Sequence, residues 1–289
     1  MDSLERGRAI SRSGRVPTWF ILSLCAVALF ISAGVLSERM HIEGRFEVPL
    51  DRVRVESDVE GAYIPGAWDE FIAAKLLEVG RVDSDDPGSA ARVAERLESL
   101  PMIHSVESAR VVIPDGLELD VRLRRIVACV KSADGFLPVS EDGVILPGFS
   151  VAPISDGVGH APLIAWDEGA RALQVGDELS EEKHFDALSV ALSMQRHLSS
   201  EVRASLGPVR VDASGAALAS VTEPGVVIYL TERRAALFGR APLHGHAGEL
   251  PEETKWTHLS RYLVEPPQGA ESWEVLDIRW DDPDVLQRR

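Results

Sequence analysis

His244-Gly245-His246 sets two imidazoles two residues apart, with Glu249, Glu252, Glu253 and His258 close behind. Imidazole nitrogens and carboxylate oxygens are zinc ligands, so this stretch has the composition of a metal centre. Its spacing argues otherwise. Histidines four apart on a helix aim both rings at one point, whereas this Gly- and Pro-containing run reads as a solvated loop. Asp281-Asp282-Pro283-Asp284 offers hard oxygen ligands for calcium, but it lacks the glycine and distal glutamate of a hand-type loop and reads as a solvated terminus. Arg122, Arg124 and Arg125 can form a basic patch, or Arg122 and Arg124 can simply alternate outward from a strand. No glycine loop that would cradle a phosphate occurs, and no serine elbow. These residues imply no enzyme, no cofactor and no metal. Recognition is the chemistry left to explain.

The elements that position such residues follow from periodicity. Arg52–Ser57 alternates as a short strand, and 58–66 reads as a turn. Trp68, Phe71, Ile72, Leu76 and Val79 recur at helical spacing; after Asp85-Asp86-Pro87-Gly88 a second helix carries Ala91, Ala94, Leu97 and Leu100 on one face. Val106–Ile113 and Leu117–Val130 are strand-like runs flanking the turn signal Pro114-Asp115-Gly116. The order strand, helix, helix, strand, strand predicts two helices on one face of a small sheet. Beyond it, Phe136–Val139 and Val144–Leu146 flank a hairpin turn at 140–143, and Leu163-Ile164 is a further short apolar run. A helix follows, capped by Ser180 and striped by Phe185, Leu188, Ala191, Leu192 and Leu198. Strands are expected at 209–211, 226–230, 235–238 and 273–280, with a short helix at 254–264.

Ahead of all this, residues 17–36 form an uncharged and mostly apolar run of 20. As a helix it would span about 30 Å, the hydrocarbon thickness of a bilayer. Arg6, Arg8, Arg12 and Arg15 precede it against Asp2 and Glu5, which predicts a cytoplasmic N-terminus and an exported remainder. The rival reading is a cleaved signal peptide ending near Ser32-Ala33-Gly34. Because the tail is net +2 and the whole chain −16, the rest carries −18, a surface that repels nucleic acid. With 2 cysteines, Cys25 in the apolar run and Cys129 in a strand-like one, no disulfide framework is available and the domains must stand on their own cores.

Several segments in this order resemble the bacterial cell-division family FtsQ, also known as DivIB, whose first exported domain is of the POTRA type. Leu97-Glu98-Ser99-Leu100-Pro101-Met102-Ile103 is similar to the family's approach to its second strand, with Met102 where tryptophan is usual. Arg110, Pro114 and Leu117 resemble the hairpin that follows, and Arg124-Arg125-Ile126-Val127-Ala128 resembles a family segment in which Leu123 replaces an acid and Ile126 a proline. Asp142-Gly143-Val144-Ile145, Gly225–Leu230 with Leu237-Phe238-Gly239, Lys255–Leu259, and Asp277-Ile278-Arg279-Trp280 are similar to later family signatures.

The resemblance implies an α+β chain with a cytoplasmic tail (1–16), a single transmembrane helix (17–36), a POTRA-like β-α-α-β-β domain (37–131) and a mainly antiparallel β domain with one or two helices (132–289). It implies a single-pass scaffold at the division septum in the inner membrane, touching the membrane through 17–36. Its partners would be FtsB- and FtsL-like proteins captured by strand addition, other division components met through the POTRA-like domain, and no nucleic acid. The partner-binding positions carried over are Tyr229, Phe238, Leu243, Trp256, Tyr262, Trp273, Val275 and Trp280. Two other readings stay open: a POTRA-containing envelope assembly or secretion factor, and an exported metal-dependent hydrolase built on His244 and His246.

Overall fold

The computed structural model describes residues 18–42, 53–57, 66–79, 82–83, 86, 88–112, 116–132, 134–155, 158–165, 173–220, 222–245, 248–268 and 272–286. The expected tail at 1–16, the turn positions 58–65, Pro114 and Asp115, and His246 lie outside them.

The first helix, α1 (Thr18–Ile42), overruns the apolar segment at its C-terminal end and takes in Ser37, Glu38 and Arg39. Among the described residues no helix is long and apolar enough to cross a membrane, which corrects the expectation of a transmembrane helix at 17–36.

Strand β1 (Val53–Ser57), helices α2 (Gly66–Val79) and α3 (Ser89–Glu98), and strands β2 (Ile103–Val112) and β3 (Gly116–Leu123) form the first unit. Its 3-stranded sheet has the order β1-β3-β2, with β1 parallel and β2 antiparallel to β3. Leu117, Leu119, Val121 and Leu123 alternate inward along β3 and are buried. They meet Trp68 and Leu76 of α2 and Val93 and Leu97 of α3 in one cluster. The inner face of α3 is Ser89, Val93 and Leu97; Ala91, expected there, is exposed. Asp86 fastens the helix start, accepting from Gly88 N at 2.9 Å and pairing with Arg92 at 2.7 Å.

The second unit comprises β4 (Ile126–Lys131), β5 (Phe136–Ser140), β6 (Leu163–Ile164), α4 (Glu182–His197), α5 (Ser200–Ser205), β7 (Arg210–Asp212), β8 (Val226–Tyr229), β9 (Ala235–Gly239), α6 (Glu252–Val264), β10 (Val275–Asp277) and β11 (Asp284–Leu286). These strands make an 8-stranded sheet in the order β11-β10-β9-β8-β7-β6-β4-β5. The sheet is mixed, which corrects the mainly antiparallel expectation. β4/β6, β6/β7 and β9/β10 run parallel, whereas the other neighbours are antiparallel. For β6/β7 and β9/β10 the cause lies in the helices. A strand followed by a helix that packs back on the sheet returns in the same direction, and α4 with α5 links β6 to β7 as α6 links β9 to β10.

The run 117–130 read as one strand is broken at Arg124-Arg125, so β3 and β4 belong to different sheets. β4 pairs with β5 across the expected 131/132 division. Both faces of β4 are covered: Val127, Ala128 and Val130 enter the large core beneath α4 and α6, while Ile126 and Cys129 join the core of the first unit. Leu146, Ile154 and Ala161 join that same core, and Trp68 Nε1 donates to Pro147 O at 2.8 Å. The two units therefore share buried apolar surface.

Candidate functional site

Register across the second sheet decides which side chains can face a partner. Ile164, Val211, Ile228, Ala236, Leu276 and Val285 lie opposite one another in a single row. The first five are buried on the helix-covered face; Val285, at the end of the row, is 38% exposed. The neighbouring row, Leu163, Arg210, Tyr229, Ala235, Val275 and Leu286, faces the opposite way.

The two edges of the sheet differ. β5 is covered by the chain itself, because Ser150 exchanges backbone hydrogen bonds with Phe136 and Leu146 N donates to Pro138 O at 2.8 Å. At the other end, β11 pairs with β10 on one side and all three of its residues are exposed. An edge strand leaves half of its amides and carbonyls pointing away from the sheet, ready to pair with another strand.

The expected partner-binding residues divide by burial. Phe238, Trp256, Tyr262 and Trp273 lie in the large core. The Phe238 and Trp256 rings are 5.2 Å apart, Trp256 Nε1 donates to Ser193 Oγ at 2.6 Å, and Trp273 Nε1 donates to Tyr262 O at 3.4 Å. These four support the platform from beneath. Tyr229 and Val275 share the outer row and are half-buried, as is Trp280. Arg210 stacks over Tyr229 at 4.2 Å, and the two line a small cavity of about 310 Å³ with Pro208, Thr231 and Glu232. Leu243, in the turn at 242–244, is exposed. The structure therefore does not bring the eight onto one surface.

Buried charges hold the β10 end in place. Lys255 Nζ donates to Glu249 Oε2 at 2.7 Å, and the same carboxylate oxygen accepts from Arg240 N at 3.0 Å. Burial pushes the Lys255 amine below its usual range, and Glu249 opposes that shift. Gly239, at φ +85°, must be glycine, since a Cβ there would collide with the Glu249 carboxylate. Alongside, Arg279 forks onto Asp277 at 2.8 and 2.7 Å and reaches Ser220 O and Glu223 O at 2.7 and 2.9 Å. A planar guanidinium makes such a fork where lysine cannot. Gly239, Lys255 and the pair Asp277 and Arg279 belong to three separate signatures along the sequence; folding gathers them around β9 and β10.

The histidine stretch is dismantled by folding. His244 Nε2 lies 2.7 Å from Asp186 Oδ1 and 3.8 Å from Glu182 Oε1, both on α4. Glu249 is taken by Lys255, and Glu252 pairs with His197 and Arg196 at 3.3 and 3.6 Å. Among the described residues no group of three His, Cys, Asp or Glu side chains is arranged to hold a metal ion. The arginine patch also resolves. Arg122 points outward, but Arg124 turns into the junction, donating to Asp142 at 2.8 Å, to Pro101 O at 3.0 Å and to Ile103 O, while Arg125 pairs with Glu141 at 3.0 Å. Burial raises the Asp142 carboxyl, and hydrogen bonds from Ser140 and Arg124 outweigh it, so the group ends below its ordinary value. Burial pushes the Cys129 thiol up to about 12, which makes it an inert core group.

No family model matches the chain, and no curated protein matches its sequence. The likeness to the FtsQ family therefore rests on the segments quoted above.

The site residues missed by sequence reading are Val285 and Leu286. Their signal was present but short: an apolar pair directly after an Asp281–Asp284 cluster that reads as a solvated terminus.

Proposed function

We propose that this protein is a non-catalytic scaffold of the bacterial division complex, acting at the septum on the outer side of the cytoplasmic membrane. It holds segments of FtsB- and FtsL-type partners by adding their strands to β11 and so helps to control septal peptidoglycan synthesis, while the first unit meets other division components. The observation that carries this reading is the asymmetry of the sheet edges: the chain covers β5 and leaves β11 exposed. Main-chain pairing at such an edge supplies affinity, and alternate side chains supply specificity. The absence of any phosphate loop or serine elbow from the sequence fits a binder.

Two measurements test it. A fluorescent fusion in dividing cells is expected to concentrate at midcell, and a uniform signal would overturn the division assignment. Co-purification of FtsB- and FtsL-type proteins is expected to be lost in Val285→Pro, which removes an edge amide while leaving every buried core residue unaltered. Undiminished capture by that variant would overturn strand addition.

A further inference from the structure

We propose that the β11 edge selects a basic partner strand, in which an aliphatic side chain extends the core row beyond Val285 while Lys or Arg side chains on the opposite face meet the acidic rim of Asp281, Asp282 and Asp284. This rests on the reading of β11 as a strand-addition edge and adds the chemistry of the strand that fits there.

Three observations support the choice. First, Val285 ends the otherwise buried row from Ile164 to Leu276, at 38% exposure. A strand pairing with β11 would place every second side chain in line with that row, where an aliphatic group covers Val285.

Second, Asp284 lies on the other face, opposite Asp277 in the register. The Asp277 carboxylate is occupied by the Arg279 fork, and the remaining Arg279 donor bonds go to Ser220 O and Glu223 O. Asp284 is exposed, with exposed Asp281 and Asp282 just before it in the chain, and so presents negative charge along the edge. Opposite charges paired across strands attract and like charges repel.

Third, the chain carries a net −16, so an acidic partner would be repelled on approach as well as at contact. A second copy carries the same net −16 and is repelled on approach in the same way. Charge therefore favours a basic partner over self-association.

The experiment uses the full chain and two fluorescein-labelled peptides that differ only in charge, Thr-Lys-Val-Lys-Val-Lys-Thr and Thr-Glu-Val-Glu-Val-Glu-Thr, followed by anisotropy at low and physiological salt. Alternation puts Val on one face and the charges on the other. The lysine peptide is expected to bind at least tenfold more tightly than the glutamate peptide, by a margin that shrinks as salt rises. Asp284→Lys is expected to narrow the preference severalfold, and Val285→Pro to abolish both interactions with circular dichroism unchanged. Equal binding of the two peptides, an unchanged preference in Asp284→Lys, or no binding of the lysine peptide would overturn the charge rule. Binding that survives Val285→Pro would overturn strand addition itself. A dimer in sedimentation that Val285→Pro dissolves would assign the edge to a second copy and overturn the proposal.

Discussion

The 8-stranded sheet is finished differently at its two ends. At the β5 end the chain folds back over the strand, β4 is covered on both faces, and Trp68 from the other unit is buried with its indole on Pro147 O. At the β11 end a 3-residue strand lies exposed, held through β10 by a buried Arg279–Asp277 fork beside the Lys255–Glu249 pair. Apolar surface is non-directional and suits cohesion between units. Charged groups fix one geometry, because a buried ion has few acceptable partners, and this end must keep its strand in register while leaving it open.

The sharpest way to break the contrast is to remove one member of the buried pair. Lys255→Ala leaves Glu249 charged inside the protein and is expected to cost about 3–5 kcal/mol in urea unfolding. Lys255→Met with Glu249→Gln, which removes both charges, should cost much less, and an equal loss would show that packing rather than charge holds this end.

At the opposite end, Trp68→Ala is expected to cost about 3–5 kcal/mol as well. Because the two units share a core, unfolding should remain a single transition by tryptophan fluorescence and far-ultraviolet dichroism, whereas two separated transitions would divide the molecule at the junction. Trp273→Ala falls in the same range of about 3–5 kcal/mol. Since Trp273 is buried, loss of partner capture in that variant would report on folding, and Val285→Pro is the cleaner probe.

A smaller effect belongs to the Arg124–Asp142 clamp, which is partly exposed and is expected to contribute about 1 kcal/mol or less. The Asp142 carboxyl is held below its ordinary value of 3.8, so the clamp is complete above that pH and is lost as the pH falls through the lower folded value. Asp142→Asn should therefore flatten the stability profile below about pH 4 and leave its neutral-pH shape intact. A profile identical to that of the parent protein would remove the clamp from the comparison. Leu243→Ser, at a side chain 63% exposed, should shift stability by less than about 0.5 kcal/mol.

What could be read in advance was whatever repeats locally. The inward alternation of Leu117, Leu119, Val121 and Leu123, and the buried positions Trp256 and Leu259 on α6, follow from periods of two and 3.6 residues and survive into the fold. The helix faces were read less completely: α3 turns inward its own stripe of Ser89, Val93 and Leu97, four residues apart, where Ala91 and Ala94 had been expected. Of the candidate site, the late strands were visible, yet the aromatics carried over as partner contacts include four that fill the core. A tryptophan in a sequence signals a large apolar surface without saying on which side of a sheet it will lie.

The amino-acid sequence by itself determined the existence and type of most elements, the acidic surface and the lack of phosphate-loop or serine-elbow motifs, since these depend on residue type and short-range spacing. Tertiary structure alone decided that α4 and α6 carry the chain between parallel strands, that Gly239, Glu249, Lys255, Asp277 and Arg279 gather at one end, and that Val285 terminates a core row at an open edge. Strand neighbours and register are contacts between distant positions, fixed by how the whole sheet buries one face, and no local pattern encodes them.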